Sequence, residues 1–403
     1  MPLTNLTTEH STNLILDDLA TRNDNWTVLD DIVTAVPSSG AAGQVLAMVD
    51  ATDYNTGWVA VSTVGANAKN KIINGNFDIW QRGTSFSATG TARYLADRWY
   101  SAMLNTTQAV SRQAFTVGQT DVPYEPAYFH RSVVASAAAA GNYARLSQRI
   151  ESVKTFAGQT VTLSFYAKAD AAKNIAVEFV QNFGAGGSPS ADVTTIGTVK
   201  KALTTGWVKQ TVTVAIPSIS GKTLGTTHDG YLAVVFWFDA GSDFNARTDT
   251  LGQQSGTFDI AQVQVEAGSF ATPFEKRLIG AELALCQRYY EQNGPVASGT
   301  YYPFAAGFSV ATTLAYTVYH FAVPKKTAGY TLVTTGTAAD YWFVQSGTGY
   351  ALTSVPDLPA GYQTTLTAHV NCTVSGATLT VGNGGLLKSN NNATTFLGFD
   401  AEL

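Results

Sequence analysis

Apolar and polar residues alternate at every second position through much of the segment 69–275. In TVTLSFYAK, Val161, Leu163 and Phe165 fall on one side of an extended chain and hydroxyl-bearing residues fall on the other. A period of two is typical of a half-buried antiparallel strand. The run 231–238 is apolar throughout, which favours a central strand covered on both faces. Many short strands separated by turn residues favour a two-sheet β-sandwich of jelly-roll type.

The strand FDIAQVQVEAG changes phase partway along its length. Phe258 and Ile260 are one position out of step with Val263 and Val265. Such a change turns the apolar side chains to the opposite face unless the strand accommodates one extra residue. We therefore predict a β-bulge near Ala261.

One segment has helical rather than strand spacing. Ile279, Leu283, Cys286 and Tyr290 recur three or four positions apart within residues 277–294, RLIGAELALCQRYYEQNG. This spacing places them on one face of an amphipathic helix. The Gly–Pro pair that follows is predicted to end the helix.

The chain of 403 residues is too long for one ordinary core. Residues 1–68 carry scattered apolar positions without sustained heptads, and are predicted to form an extended or helical arm that needs partner chains for burial. Residues 69–275 form the predicted sandwich. Residues 276–403 comprise the linking helix and a small C-terminal β domain, in which alternation returns. The predicted fold class is therefore mainly β.

Charge and hydropathy exclude two classes of partner. The formal net charge is −5 and only 13% of residues are charged. Nucleic-acid binding relies on clustered Lys and Arg, so no nucleic-acid partner is expected. The longest strongly apolar run is far shorter than the roughly 20 residues of a membrane helix, so no membrane insertion is expected. MPLTNLTTEH lacks the features of a secretory signal, which favours synthesis in the cytoplasm.

Motifs with catalytic or metal-binding spacing are missing from the sequence. The five histidines have no partners at metal or triad spacing, and no phosphate-binding loop or GxSxG motif occurs. The two cysteines, Cys286 and Cys372, form no CxxC pair and are predicted to be buried free thiols. Glycoside cleavage needs two carboxylates across a groove, and the sequence does not place any pair there. We predict that the protein is not an enzyme.

Two clusters have the composition of a sugar-binding site, which combines an aromatic platform with hydrogen-bonding side chains. One lies in a Pro-flanked loop and the other at the end of the predicted central strand. The candidate glycan-binding residues are Tyr124, Glu125, Tyr128, Trp237, Asp239, Asp243 and Asn245. The alternative for Trp237, which stands in an apolar run, is burial in the core.

Four segments occur in a characteristic order: GQVL…DYNTGW in residues 43–58, NGNFDIWQRGTSFSATGTARYLADRW in 74–99, VEAGSFATPFE in 265–275 and AELALCQRYYE in 281–291. In this order they resemble tail-fibre and tail proteins of tailed bacteriophages. In that family, the second and third segments open and close a carbohydrate-binding-like β-sandwich. The sequence VPKKTAGY departs from the family pattern, which puts in doubt any shared contact by Lys325 and Lys326.

The resemblance implies a homotrimer located in the virion, with the N-terminal arm attached to a phage tail or baseplate protein. It implies non-covalent recognition of a host cell-surface glycan. Two alternatives remain open. One is a tailspike that depolymerises a glycan, and the other is a structural tail or head-decoration protein without a ligand.

Related carbohydrate-binding sandwiches often hold a structural calcium between their first and last strands. The resemblance therefore implies Asp78, which follows NGNF, and Asp259, which lies in the closing TFDI strand, as candidate ligands. Calcium takes six to eight oxygens, so two carboxylates alone leave an empty site as the alternative. No other cofactor is expected.

The residues Trp80, Arg82 and Trp99 have two interpretations, a ligand contact and a structural stack. Arg frequently stacks on Trp, so an aromatic–guanidinium stack within the sandwich is favoured. Asp97 or Asp78 is expected to pair with an arginine there.

Overall fold

The computed structural model describes residues 69–89, 92–294, 301–376 and 378–403, together with two short strands near the N-terminus. These strands, β1 (Gln44–Met48) and β2 (Thr56–Ala60), form an antiparallel pair. The chain divides into two compact units, Met1–Ala66 and Asn67–Leu403. Most of the predicted attachment arm lies outside the described residues.

Two six-stranded antiparallel sheets build the first part of the larger unit. Sheet 1 has the order β11-β10-β13-β8-β5-β4, with β4 (Arg93–Tyr94), β5 (Trp99–Leu104), β8 (Tyr143–Glu151), β10 (Lys173–Asn182), β11 (Val193–Leu203) and β13 (Tyr231–Ala240). Sheet 2 has the order β12-β9-β14-β7-β6-β3, with β3 (Ser85–Thr89), β6 (Thr107–Ala114), β7 (Tyr128–Ala135), β9 (Thr160–Ala169), β12 (Val208–Ala215) and β14 (Gly256–Ala267). The predicted mainly β fold class is confirmed.

The core fills the space between the two sheets. Val161, Leu163 and Phe165 of β9 are fully buried there, as their alternation predicts, and Phe236 of β13 packs edge-on against Phe165. Burial of each large apolar side chain contributes roughly 1.5–3 kcal/mol. Strand β13 lies between β10 and β8, which confirms its predicted central position.

The outer face of β13 is also covered near its end. A 3-10 turn, Ser242–Phe244, and a short helix α1, Asn245–Thr248, follow the strand directly. Phe244 packs on Trp237, with ring centroids 5.1 Å apart, and Leu251 joins the same cluster. This second cover explains why the strand is apolar on both faces.

The segment 74–99 forms part of the core. Phe77 stacks on Trp99 with ring centroids 4.9 Å apart, and the Trp99 indole donates a 3.0 Å hydrogen bond to the Asn74 carbonyl. The Asn74 side chain joins two parts of the segment, because its amide donates to the carbonyls of Ile79 and Asp97. The aromatic residues of this segment therefore hold the sandwich together.

Arg82 was expected to stack on a tryptophan, but its aromatic partner is a tyrosine. The Arg82 guanidinium lies 3.5 Å from the centroid of the Tyr290 ring, and it contacts Asp400 at 3.1 Å. Asp97 accepts hydrogen bonds from the backbone and side chain of Gln81. Burial raises the pKa of the Asp97 carboxyl. The residues between Ile279 and the C-terminus supply partners that local sequence did not indicate.

Gly75 is required by a close approach to strand β14. A methyl group added at Gly75 would lie 2.2 Å from the Val263 carbonyl oxygen. We expect Gly75→Ala to lower the free energy of unfolding by about 1–3 kcal/mol, because the backbone must move to relieve the overlap. Urea denaturation measures this difference. Gly280→Ala is the control, since an added methyl group meets nothing within 4 Å and alanine favours a helix. Equal loss in both variants would contradict the steric explanation.

The predicted bulge in β14 is confirmed. The register between β14 and β9 shifts between Ala261 and Gln264. Gln262 adopts a left-handed backbone conformation with φ of 47°. The bulge lets the apolar residues before and after it face the same core.

The predicted helix is shorter than its sequence pattern. Helix α2 covers Ile279–Gln287, and the next residues form strand β15, Tyr290–Asn293. Strand β15 pairs with β23, Leu397–Asp400, which provides backbone hydrogen-bond partners. The prediction of helix up to Gly294 was therefore wrong for residues 288–293.

The C-terminal domain has its own core. A three-stranded sheet has the order β15-β23-β18, and a six-stranded sheet has the order β20-β19-β22-β16-β17-β21. The remaining strands are β16 (Pro303–Ala311), β17 (Leu314–His320), β18 (Thr331–Thr334), β19 (Tyr341–Gln345), β20 (Thr348–Ala351), β21 (Thr367–Thr373) and β22 (Gly384–Ser389). Cys372 is buried here and Cys286 is buried in α2, and both are free thiols, as predicted. None of the helices in the described ranges is long and apolar enough to span a membrane.

A joint of charged and aromatic residues connects the C-terminal domain to the sandwich. Glu402, which follows β23, forms an ion pair with Arg98, and the Arg98 guanidinium lies 3.4 Å from the centroid of the Tyr289 ring. Arg288 and Glu151 form a second ion pair at 2.9 Å. Lys325 is buried in the same region and contacts Glu291 at 2.9 Å. We call these contacts the interdomain joint.

Candidate functional site

The candidates at the end of β13 do not form a surface site. Trp237 and Asp239 are fully buried. The Trp237 indole donates a 3.2 Å hydrogen bond to Glu178, and the Asp239 carboxylate accepts hydrogen bonds from the Thr106 and Ser136 hydroxyls. The alternative of burial is therefore what the structure shows for Trp237, because the turn after β13 folds over its ring.

The other two candidates of this group lie on that turn. Asp243 and Asn245 are exposed, in the 3-10 turn and at the start of α1. The ring of Trp237, which was expected to be their aromatic partner, is buried and not accessible to a ligand. The combination of an aromatic platform and acidic partners that the sequence indicated is not present at this position.

The loop before β7 does reach the surface. Tyr124 is 56% exposed, Glu125 is exposed, and both adopt left-handed backbone conformations with φ of 65° and 43°. Tyr128 is half-buried at the start of β7, where the Arg112 guanidinium lies 4.1 Å from the centroid of its ring. Left-handed backbone at two consecutive non-glycine residues is strained, and such strain is often found at functional sites.

A cleft of about 250 Å³ lies beneath this loop. We call it the Tyr124 cleft. It lies against sheet 2, beside strands β9, β12 and β14. Its lining residues are Pro123, Tyr124, Ser164, Phe165, Tyr166, Lys209, Gln262 and residues 271–274. The cleft thus combines two tyrosines, an amide, two aliphatic hydroxyls and an ammonium group.

Gln262 links the cleft to the bulge in β14. Its side chain is only 4% exposed, and its amide nitrogen donates a 2.6 Å hydrogen bond to the Pro123 carbonyl. Its amide oxygen is buried and has no hydrogen-bond partner in the described part of the chain. A buried acceptor without a partner is costly, and a ligand hydroxyl would satisfy it.

The charges of the cleft favour hydrogen bonding over proton transfer. Burial and the neighbouring Tyr124 raise the pKa of the Tyr166 phenol, which therefore keeps its proton at neutral pH. Lys209 is exposed and supplies a single positive charge. Tyr166 and Lys209 are donors, whereas Gln262 is an acceptor.

The two expected calcium ligands have other partners. Asp259 accepts two 2.8 Å hydrogen bonds from the Arg131 guanidinium, and Lys168 lies 3.8 Å from the same carboxylate. Asp78 accepts a 2.9 Å hydrogen bond from Asn76, and burial raises the pKa of its carboxyl. Across the described residues, no group of three or more His, Cys, Asp or Glu side chains is arranged to hold a metal ion. The structure does not supply a ligand set for the implied calcium.

The outer face of sheet 1 carries a second group of surface residues that the sequence did not single out. Arg145 and Arg149 of β8 point to this face together with Tyr100 and Tyr231 on the neighbouring strands. The signal was present in YARLSQRIE, where the two arginines are four positions apart and therefore lie on the same face of the strand. That pattern shows which face they share, but not what they contact.

No family model matches the chain, and no curated protein matches it. Among solved structures, a CBM4 structure is 17% identical with a TM-score of 0.27, and the match covers 48% of this chain and 98% of that one. The CBM22-1 xylan-binding domain from Paenibacillus barcinonensis is 12% identical with a TM-score of 0.27, covering 51% and 98%.

The enzymatically active domain of tailspike protein 4 from bacteriophage CBA120 also matches. It is 12% identical with a TM-score of 0.28, and the match covers 50% of this chain but only 22% of that chain. At these identities and TM-scores, the similarities assign neither a family nor a function to this chain.

Proposed function

We propose that this protein is a virion component of a tailed bacteriophage, a tail fibre that binds a host cell-surface glycan without cleaving it. The observation that carries the glycan-binding part is the Tyr124 cleft. The phage assignment rests on the ordered sequence segments in residues 43–58, 74–99, 265–275 and 281–291. The protein would be made in the host cytoplasm and assembled into the phage tail.

The dimensions and chemistry of the cleft suit a sugar. At about 250 Å³ it lies below the usual range of roughly 300–1,000 Å³ for pockets that bind drug-sized molecules, which favours a single sugar unit. The apolar face of a sugar ring packs against tyrosine rings such as those of Tyr124 and Tyr166. The hydroxyl groups of the sugar would meet the Gln262 amide oxygen and the Lys209 ammonium group.

The lining of the cleft favours binding over hydrolysis. All of its lining residues lie in the described part of the chain, and none of them is Asp or Glu. Hydrolysis of a glycosidic bond normally uses two carboxyl groups on either side of the bond. Incubation with host capsule or lipopolysaccharide is expected to leave the polymer length unchanged, whereas shortened chains would indicate a depolymerase.

An exposed apolar surface on α2 supports the proposed homotrimer. Leu278 is 84% exposed and Ile279 is 60% exposed, and Leu285 borders a groove nearby. Contiguous exposed apolar residues often mark an interface. The proposed attachment of the N-terminal arm to a tail or baseplate protein concerns residues 1–68. A stable monomer in sedimentation experiments on the full chain would contradict the trimer.

Tyr124→Ala is expected to weaken binding of the full chain to host cells by at least about tenfold, which corresponds to ~1.4 kcal/mol. The variant removes the exposed wall of the cleft and leaves the core intact. Flow cytometry with labelled protein measures the binding. The control is Tyr362→Ala, which removes a tyrosine that is 64% exposed in the C-terminal domain.

The proposal fails if Tyr124→Ala binds host cells as well as the unaltered chain. It also fails if Tyr362→Ala causes the same loss, because the effect would then not be specific to the cleft. If the unaltered chain binds neither host cells nor a glycan array, a structural tail or head-decoration protein without a ligand becomes the better interpretation.

A further inference from the structure

Two arginines on the outer face of sheet 1 each lie close to two aromatic rings. The Arg145 guanidinium lies 5.1 Å from the ring centroid of Tyr143 and 5.0 Å from that of Trp237. The Arg149 guanidinium lies 4.7 Å from the Tyr100 centroid and 4.8 Å from the Tyr231 centroid. We call this surface the arginine trough; its residues are Tyr100, Tyr143, Arg145, Ser147, Arg149 and Tyr231, and the fully buried Trp237 ring packs against Arg145.

Small side chains separate the two arginines. Ser147 lies between them on β8, with Val235 opposite it on β13. Ala102 lies opposite Arg145, and Ala233 lies opposite Arg149. Four residues of strand place the two arginines about 13 Å apart along β8. These small residues are themselves buried, so the accessible part of the trough consists of the two arginines and the half-buried rings of Tyr100, Tyr143 and Tyr231.

Arg145 lacks an acceptor. Its Nε is buried and has no hydrogen-bond partner, and no carboxylate in the described residues forms an ion pair with its guanidinium. Its neighbour Arg247 differs, because the Arg247 Nε lies 2.9 Å from the Glu178 carboxylate. Burial lowers the pKa of Arg145, with Arg247 nearby adding to the effect. The Glu178 carboxylate acts on Arg145 only at a distance, because its ion-pair partner is Arg247, so the N–H groups of Arg145 remain available to a bound anion.

The geometry of Arg145 suits an anionic group on a sugar. Contacts with the Tyr143 and Trp237 rings restrict the guanidinium, and its planar set of N–H groups matches a carboxylate or phosphate. The sugar ring that carries the anion would then lie against the half-buried Tyr143 ring beside Arg145. Arg149 already donates a hydrogen bond to the Leu403 carbonyl, so Arg145 has the greater unused capacity.

We propose that the arginine trough binds an acidic saccharide, with its anionic group on Arg145. The inference rests on the proposed glycan binding and adds the class of substrate, a sugar that carries a carboxylate or a phosphate. Two arginines in an otherwise acidic chain fit isolated anionic groups on a sugar chain rather than the dense charge of a nucleic acid.

The test uses the full chain and titration calorimetry with defined probes. The carboxylate probes are oligogalacturonate and oligosialate, and the phosphate probe is poly(glycerol phosphate). Carboxyl-reduced oligogalacturonate is the neutral match. We expect at least one anionic probe to bind, and the reduced probe to bind at least about tenfold more weakly.

Arg145→Met is expected to weaken binding of the anionic probe at least about tenfold and to leave binding of the carboxyl-reduced probe unchanged. Arg145→Lys keeps the charge without the planar group and is expected to give an intermediate loss; it also serves if the methionine variant does not fold. Lys154→Met removes an exposed cation outside the trough and is the control. Circular dichroism checks that each variant is folded.

The two proposals fail differently. If Tyr124→Ala weakens cell binding while all anionic probes fail to bind, the trough is wrong and glycan recognition stands. The trough is equally wrong if acidic and reduced probes bind alike, or if Lys154→Met matches Arg145→Met. If Arg145→Met weakens an anionic probe while Tyr124→Ala has no effect on cells, the trough stands and the Tyr124 cleft does not.

Discussion

Lys325→Met is expected to lower the free energy of unfolding by about 3–5 kcal/mol, because it leaves a buried carboxylate without its cation. Lys325 is 1% exposed. Its ammonium group donates hydrogen bonds to Glu291 at 2.9 Å and to the Gln287 carbonyl at 2.6 Å. Burial lowers the pKa of Lys325, although the adjacent Glu291 opposes that shift. Methionine has a similar length, so the change removes the charge while filling most of the volume.

Urea denaturation of the full chain measures the effect. Lys326→Met is the matched control, since it removes the neighbouring cation, which is only half-buried. The double variant Lys325→Met, Glu291→Gln is expected to recover part of the lost stability because no unpaired charge remains. Glu291 would otherwise keep only its hydrogen bonds from Tyr319 and the Ala322 backbone. Equal losses in Lys325→Met and Lys326→Met would contradict the buried ion pair.

Acid is expected to destabilise the sandwich through His130. Burial lowers the pKa of His130 from 6.5 to about 3. The unfolded chain therefore takes up a proton below pH 6.5 that the folded chain refuses. The stabilisation is complete above pH 6.5 and is lost as the pH falls towards 3, at up to roughly 1.4 kcal/mol per pH unit, or ~3 kcal/mol by pH 4.

The structure explains why His130 stays neutral. The centroid of its ring lies 5.3 Å from that of the Phe77 ring and 6.1 Å from that of the Trp80 ring. Its Nε2 contacts the Ser132 hydroxyl at 2.8 Å. His130→Gln is expected to remove this part of the pH dependence, measured by urea denaturation from pH 7 to pH 4. His228→Gln, at an exposed position, is expected to keep it. An unchanged slope in His130→Gln would rule out His130 as its source.

The strands and the bulge were predictable because burial on one face imposes a period of two on the sequence. The phase change between Ile260 and Val263 reported the bulge directly. The end of α2 was not predictable, because residues 290–293 keep helical spacing while their strand partner, β23, lies far along the chain. Tertiary pairing overrode a local pattern there.

The candidate sites also divide into features that local sequence predicts and features that depend on tertiary packing. The exposed Tyr124 loop was predictable from its composition and its flanking prolines. Trp237 and Asp239 have a similar composition, but the turn after β13 covers them, and coverage depends on packing. Arg145 was missed because its importance lies in a missing acceptor, which only the three-dimensional arrangement reveals.

The interdomain joint has a consequence for the order of folding. Arg98 and Glu402 are 304 positions apart in sequence. Contacts this distant close a very long loop, and the entropy of loop closure makes them form late and slowly. The sandwich, whose neighbouring strands are mostly closer in sequence, is expected to fold first, with Arg98 still lacking its carboxylate. The docking of the residues after β23 would then be the last step, and it fixes the orientation of the two domains.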